Sequence, residues 1–299
     1  MELAQLRAFV AASRERNIAR AAESLRLTPS PVSRTIAQFE RELGGPIFSR
    51  RYHDLELTEL GSELLPIAVR TLDGVDDIAR RASGSPRTLR IAATPWAPQH
   101  FIEQLEHLAA AAGGSVDVSS GVSSRLLHGM RHGDIDLAVV HLPVPFAGIA
   151  ARPLARYRFS VFADPSHEFG ERSSVTLRDL VGTPILSMPE SMQPTAMSAM
   201  TSRLREAGLS DLTVLDREEW YSVPQVLRRT GAVMLGMRTV DGPVSSVLAS
   251  GGLISLPLSE GELDFSLGLA WPEWSTDPRV AELAAGLRPR ADEPVEEID

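Results

Sequence analysis

At Ser83-Gly84-Ser85-Pro86 the hydrophobic rhythm of this 299-residue chain changes. Before that break, apolar residues recur mostly three and four apart, the spacing of a helix face. After it, short apolar runs alternate with helical patterns. Helices alone and alternating strands and helices bury their apolar faces in different ways, so the break separates two architectures. Ser, Gly and Pro in succession are linker composition.

The N-terminal part reads as three short helices, a hairpin and a long helix. Leu3, Leu6 and Val10 mark the first helix, and Ile18–Leu25 the second, with small Ala21 and Ala22 allowing close helix contact. A turn at Arg26-Leu27-Thr28 leads to the third. Thr28 is placed to cap it, and Pro29 sits at the first helical position, where a missing N–H costs nothing. Pro31 still lies within the first turn. Val32, Ile36, Phe39 and Leu43 form the buried stripe of this helix, with Ser30, Ser33, Arg34, Gln38 and Arg41 on other faces. Gly44-Gly45 ends it. From Ile47-Phe48 to Leu57-Thr58 the pattern fits a two-stranded wing with Tyr52-His53-Asp54 at its tip. Glu59–Ala82 is one long helical pattern in which Pro66 is a point of bending.

Beyond the linker, strands are expected at Leu89–Ala93, Ser115–Ser119, Leu137–Val140, Phe159–Phe162, Pro184–Leu186, Ala232–Leu235, Ile254–Leu256 and Phe265–Ala270. Helices are expected at Pro98–Ala112, Ser123–His132, near Ala196–Ala207 and Val223–Arg229, and near Arg279–Leu287. Such alternation predicts an α/β domain with a mostly parallel sheet. The acidic tail from Arg290 reads as a fraying end.

Composition narrows the function classes. The chain has no cysteine, which removes disulfides, thiolate metal sites and thiol redox sensing. No run of 18 apolar residues suggests a membrane span, and the N-terminal MELAQLRAFV does not read as a signal peptide. A cytoplasmic protein is the expectation. Net charge is −9, but residues 1–86 hold 12 basic and 12 acidic residues, so the remainder, 18 against 27, carries all of it. Every basic residue is Arg. Genomic composition accounts for that, and Arg also suits guanine edges and phosphates.

Particular residues then resemble a family. Asn17–Ala22, Glu23-Ser24-Leu25-Arg26-Leu27-Thr28-Pro29-Ser30-Pro31-Val32-Ser33-Arg34, Glu40-Arg41-Glu42-Leu43-Gly44, Pro46-Ile47-Phe48, Arg50 and Leu57-Thr58-Glu59-Leu60-Gly61 are similar, in order and spacing, to LysR-type transcriptional regulators. Leu89-Arg90-Ile91, Gly133–Val139 and Gly252–Leu258 extend the likeness more loosely. The resemblance implies an N-terminal all-α winged helix-turn-helix and a long linker helix that pairs subunits. It also implies a C-terminal α/β periplasmic-binding-protein-like domain of two Rossmann-like subdomains. The expected division is 1–58 for DNA binding, 59–86 for dimerisation linker and hinge, and 87–290 for effector binding, with a tail at 291–299. Within 87–290, subdomain I takes about 87–141 and 244–290 and subdomain II about 142–243, with hinges at Val140–Val144 and Arg238–Val244. Expected partners are double-stranded DNA at a promoter or operator, a small-molecule effector, and further copies of the chain in a dimer or homotetramer. No cofactor, metal or membrane is implied.

A recognition helix needs small or polar residues where it enters the major groove. Thr28, Pro29, Ser30, Ser33, Arg34 and Gln38 are the candidates there, and Arg50, Arg51 and His53 those on the wing. Two departures from the family matter. Many relatives carry Gln where Pro29 stands, and their wings are more basic than one holding Asp54 and Glu56. Backbone contact should then rest on Arg50 and Arg51, and Arg51→Ala should lower operator affinity and its salt dependence. The long helix has a plain reading as core of one subunit; pairing with its twin is preferred because it has no domain core of its own.

Ligands of α/β sheets bind beyond the C-terminal ends of strands, at helix N-termini. Effector candidates are Thr94, Ser123 and the loop at Met188, with Trp96, His141, Trp220 and Tyr221 added more weakly. Core packing is the plain alternative for Trp96 and Trp220, and an N-cap for Ser123. Few cations stand near these places, which disfavours a polyanionic effector. An α/β metabolite enzyme is the rival class, but there is no Gly-rich phosphate loop, Gly-x-Ser-x-Gly elbow or metal-spaced His cluster. His128 and His132 lie four apart, a pattern commoner on a solvated helix face. A transporter's solute-binding protein would match only residues 87–290 and would need an export signal.

Overall fold

A computed structural model describes residues 1–51, 54–83, 87–113, 115–188, 190–209, 212–214, 220–237, 242–259, 263–289 and 295–296. The first helices are α1 (Leu3–Glu15), α2 (Ile18–Ser24) and α3 (Pro29–Leu43). Asn17 starts α2 by accepting N–H bonds from Ala19 and Arg20. Ala21 and Ala22 are fully buried, so α2 approaches its neighbours closely. Phe9 of α1 packs against Phe39 and Phe48 at 5.9 and 5.6 Å between ring centres. Thr28 stands at the cap position of α3, but its side chain makes no cap bond. Pro31 removes one of the two N–H groups, those of the second and third helical positions, that such a hydroxyl can receive.

Strands β1 (Phe48–Arg51) and β2 (Asp54–Leu57) pair antiparallel as the wing. Its base is fixed by Glu40, whose carboxylate accepts the N–H of Ile47 and Phe48. Helix α4 (Glu59–Ser83) follows. Thr58 Oγ1 accepts the Gly61 N–H at 3.0 Å and donates to the Pro46 carbonyl at 2.8 Å, joining the start of α4 to the wing. A Cβ on Gly61 would lie 2.2 Å from the Ile47 carbonyl oxygen. Gly61→Ala is therefore expected to destabilise this junction by about 2–3 kcal/mol. Hydrogen exchange of the α1–α3 amides, faster in the variant with the α/β domain unchanged, checks it.

Leu65, Ala68 and Val69 of α4 are buried in the helix-turn-helix core, whereas Ile67 and Ile78 are exposed. The first half of α4 thus has a core within its own chain, contrary to the expectation that it has none. The helix also touches the second domain: a Cβ on Gly133 would meet Val69 at 2.7 Å. Nearby, His132 Nδ1–H donates to the His128 carbonyl at 2.7 Å, so its Nε2 accepts from Ser13 Oγ at 3.0 Å. Arg14 pairs with Asp134 at 2.6 Å. His132 is thereby a structural contact between domains, and among the described residues no group of three or more His, Cys, Asp or Glu could hold a metal.

The second domain is built on one long mixed sheet. Its strand order is β4 (Val116–Ser120), β3 (Leu89–Ala93), β5 (Leu137–His141), β11 (Asp264–Pro272), β6 (Ile149–Ala163), β9 (Val233–Met237), β7 (Ile185–Ser187) and β8 (Leu212–Val214). β10 (Ile254–Pro257) and β12 (Val295–Glu296) also pair β6. The outer strands are parallel at both ends, but β11 and β6 run antiparallel to their neighbours, so the sheet is not mostly parallel as its alternation suggests. Helices α5 (Gln99–Ala111), α6 (Ser123–Arg131) and α10 (Pro278–Gly286) flank the first half, and α7 (Pro194–Glu206), α8 (Val223–Thr230) and α9 (Pro243–Ser250) the second.

β6 defines the two subdomains. Ile149–Arg158 pairs with β11, and Phe159–Phe162 pairs with β9. The crossing from subdomain I to subdomain II therefore runs inside this strand and not at Val140–Val144. β10 pairs Ser160–Ala163, which places it in subdomain II. The return to subdomain I falls between β10 and β11, later than the expected Arg238–Val244; residues 238–241 lie outside those described. Of the tail, Val295–Glu296 are described, and they pair with Tyr157 and Arg156; residues 290–294 and 297–299 lie outside those described.

Candidate functional site

Two places gather the residues singled out in the sequence. The first is the exposed start of α3. Thr28, Pro29, Ser30 and Arg34 are exposed and Ser33 is half-buried, while Val32, Ile36 and Phe39 point into the core. Arg34 makes no ion pair or hydrogen bond among the described residues. The four-residue spacing of Ser30 and Arg34 stacks them one turn apart on one face. Thr28, freed from capping, adds a hydroxyl at the same end. Pro29 and Pro31 carry no N–H, so the backbone donors of the first turn are those of Ser30 and Val32, beside a dipole that favours an anion.

Gln38 does not join that cluster. Its amide nitrogen donates to Glu42 at 3.1 Å, beside Gln5, which donates to the same carboxylate at 2.9 Å. These bonds, with the N-terminal ammonium, pull the Glu42 pKa down to about 2. The Gln38 side chain is thus turned towards Glu42, away from Ser30 and Arg34. On the wing, the backbone of Arg50 and Arg51 lies in β1 and that of Asp54 in β2; His53 lies outside the described residues.

The second place is a closed cavity between the subdomains. Trp96, His141, Phe159, Met188, Met192, Gln193, Met197, Gly236, Met237 and Phe265 line it, with about 20 Å³ of free space, roughly room for one water. Trp96, His141 and Met188 are thus brought together as the sequence suggests. The walls come from both subdomains. Trp96 leaves β3 and lies on β9, where a Cβ on Gly236 would sit 2.7 Å from its ring. Gln193, at the start of α7, donates to the carbonyls of His141 and Pro143 at 2.9 and 3.2 Å. Ser124 of α6 donates to the Ser191 carbonyl at 2.6 Å, a second bond across the cleft.

His141 is the polar centre. Its backbone N–H donates to Ser123 Oγ at 3.0 Å, and the same hydroxyl lies 3.0 Å from the ring Nδ1. The hydroxyl hydrogen has no other acceptor among the described residues, so Ser123 donates it to Nδ1 and Nε2 carries the ring hydrogen. Burial lowers the His141 pKa to about 4, so the ring is neutral near pH 7. A histidine with a folded pKa below its unfolded value makes stability fall as pH drops from about 6.5 to about 4, because the unfolded chain takes up the proton first. The contribution lost by pH 4 is about 3 kcal/mol. Burial also lowers the pKa values of His128 and His132. The check is therefore the difference in urea midpoint between the wild type and His141→Phe at pH 7 and pH 4: the variant should lose less on acidification.

Other candidates fall elsewhere. Ser123 supports His141 from behind and does not line the cavity. Tyr221 is 83% exposed and does not reach it. Thr94 is buried just before the Pro95-Trp96 turn, and its hydroxyl has no hydrogen-bond partner among the described residues. The side chain of Trp220 lies outside those described. Met192 and Gln193 belong to the loop at Met188 that the sequence singled out, whereas Met197, Gly236, Met237, Phe159 and Phe265 were missed. The one available signal was the Met- and Gln-bearing loop from Met188 to Thr195.

Comparison with known proteins identifies both domains. Residues 3–62 match the family described as bacterial regulatory helix-turn-helix protein, lysR family, and residues 82–292 match the LysR substrate binding domain. The chain belongs to the LysR-type transcriptional regulators, DNA-binding proteins with an effector-sensing domain and no enzymatic role. It is 30% identical over 196 residues to a probable hydrogen peroxide-inducible genes activator of Mycobacterium avium, an alignment covering 63% of this chain and 62% of that protein. It is 27% identical to the HTH-type transcriptional regulator BudR of Raoultella terrigena, over 70% of this chain and 75% of that one. The structure of a full-length OxyR variant from Pseudomonas aeruginosa superposes with a TM-score of 0.67 at 22% identity, covering 100% of this chain and 99% of the other. That likeness establishes the shared fold: a winged helix-turn-helix, a long helix and a periplasmic-binding-protein-like domain.

Proposed function

We propose that this regulator reads operator DNA through Thr28, Ser30, Ser33 and Arg34 at the start of α3, holds the backbone with Arg50 and Arg51, and takes its effector in the cavity beside His141. The observation that carries the first part is the exposed Arg34, one turn from Ser30 at a helix N-terminus and without an acidic partner among the described residues. Pro29 offers no hydrogen-bonding side chain, so base reading falls to its neighbours. The exposed Ile67 and Ile78 on α4 are the surface through which a second copy would pair, giving a dimer or tetramer whose paired heads multiply individually weak contacts. No described helix is long and apolar enough to cross a membrane, and a DNA-bound regulator works in the cytoplasm.

The activity named for the M. avium relative does not transfer through thiol chemistry, because this chain has no cysteine. The DNA reading is tested by fluorescence anisotropy with the DNA upstream of the gene that encodes this chain. Affinity should fall steeply with salt, and Arg51→Ala should reduce the slope by about one. Unchanged affinity and slope in Arg51→Ala would remove the wing from the interface.

A further inference from the structure

The cavity between the subdomains has a chemical character that narrows its ligand. Among the described residues its wall holds four Met, the rings of Trp96, Phe159 and Phe265 and a glycine, and besides the Trp96 indole its polar side chains are His141 and Gln193. Gln193 spends its amide hydrogens on the carbonyls of His141 and Pro143. His141 is fixed by Ser123 as the Nε2–H form, and its Nε2 hydrogen has no acceptor among the described residues. The ring stands edge-on to Phe265 at 5.3 Å, which leaves Nε2 as its one uncommitted polar atom.

We infer that the effector is a small, uncharged molecule, an apolar body bearing one hydrogen-bond acceptor that takes the Nε2 hydrogen of His141. The inference rests on the reading of this cavity as the effector site. A carboxylate or phosphate would be buried here with no Arg among the described residues of the wall, and the chain contains no Lys, so among those residues its desolvation goes uncompensated. A cation is disfavoured too, because among the described residues no carboxylate lines the wall and the His141 N–H turns its positive end inward. An acceptor on a neutral ligand would take the His141 Nε2 hydrogen, which has no protein acceptor among the described residues, and in an apolar pocket such a bond discriminates between ligands. The free space is far smaller than a typical ligand pocket. Met188, Met192, Met197 and Met237 supply the means of enlarging it, since an unbranched thioether re-packs around a guest more readily than a branched side chain.

The test uses the full chain labelled at its methionine methyl groups, with cyclopentanone, cyclopentane, cyclopentanecarboxylate and tetramethylammonium as probes. Cyclopentanone is expected to shift the signals of Met188, Met192, Met197 and Met237 and to leave those of Met1, Met130, Met200 and Met234 in place. It should bind at least ~10-fold tighter than the carboxylate or the tetramethylammonium ion. A wild-type ¹⁵N spectrum should place the His141 hydrogen on Nε2, and the ketone should move that signal. In His141→Phe the ketone should lose its advantage over cyclopentane. Tighter binding of either ion, or a hydrogen on Nδ1, overturns the neutral-acceptor assignment while leaving the cavity as the binding site. If no probe moves any of the four methyl signals, the cavity is packed core, and the effector-site reading falls together with the ligand class.

Discussion

Asp136→Ala is expected to destabilise the sensing domain by about 3 kcal/mol, the lower end of what stranding a buried charge costs. Asp136 is 5% exposed at the start of β5. It accepts from Arg90 Nε and a terminal guanidinium nitrogen at 3.1 and 2.9 Å, from the Arg90 backbone N–H at 2.9 Å, and from Arg87 at 2.6 Å. The bidentate grip and the backbone bond lock β3 to β5 at the root of the sheet. Removing the carboxylate leaves the half-buried Arg90 without this partner. Arg87 retains Asp277 at 3.8 Å, which is why the lower figure applies. All four Trp residues, at 96, 220, 271 and 274, lie in this domain, so a urea titration followed by Trp fluorescence reports chiefly on it, with Trp274 also facing α4. A change under about 0.5 kcal/mol, the size typical of ordinary surface substitutions, would show that the cluster is incidental.

Arg34→Ala is expected to weaken operator binding roughly 5- to 150-fold for each contacted half-site, the range for losing a bidentate base contact. The fold should be untouched, because Arg34 is exposed and makes no ion pair or hydrogen bond among the described residues. In a pair of subunits the loss counts twice, so a dimeric complex should nearly vanish at concentrations that saturate the wild type. If Arg34 instead grips phosphate, binding to all sequences should weaken alike and the salt slope should drop by about one. Wild-type affinity with wild-type sequence preference would remove Arg34 from the interface.

The helix-turn-helix was legible because local rules and tertiary packing agree there. The Thr-Pro-Ser-Pro start of α3, its apolar stripe and the glycine stop each act within one turn. Leu57-Thr58-Glu59-Leu60-Gly61 also proved local, with Thr58 capping α4 and Gly61 fitting beneath the Ile47 carbonyl. The first half of β6 was illegible for the opposite reason. Arg152, Pro153, Arg156 and Arg158 do not read as a strand, yet pairing with β11 imposes one. Arg152 is accommodated because its guanidinium donates to the carbonyls of Ala284 and Leu287 at the C-terminal end of α10, where a cation is favoured. The antiparallel centre of the sheet and the true crossing points follow from that one unseen segment. α9 escaped notice as a short Ser- and Val-rich stretch with weak helix propensity.

The cavity was half legible. Strand ends pointed to Trp96, His141 and the Met188 loop, because ligands gather there in α/β sheets. Ser123 fell one layer too deep. Its position at the start of α6 was visible, but its bond to His141, 18 residues away in sequence, was not. Met237 and Phe265 reach the cavity through β9 and β11, whose place beside β6 no local pattern announces.

The central claim, that this chain is a regulator that reads a particular DNA sequence through α3, is tested most directly by selecting bound duplexes from a random-sequence library with the purified full chain. The account predicts enrichment of a two-part site with half-sites one helical turn or a multiple apart, and no such enrichment with Arg34→Ala. Recovery of unenriched sequence by the wild type, at a salt concentration where it still binds, would contradict it.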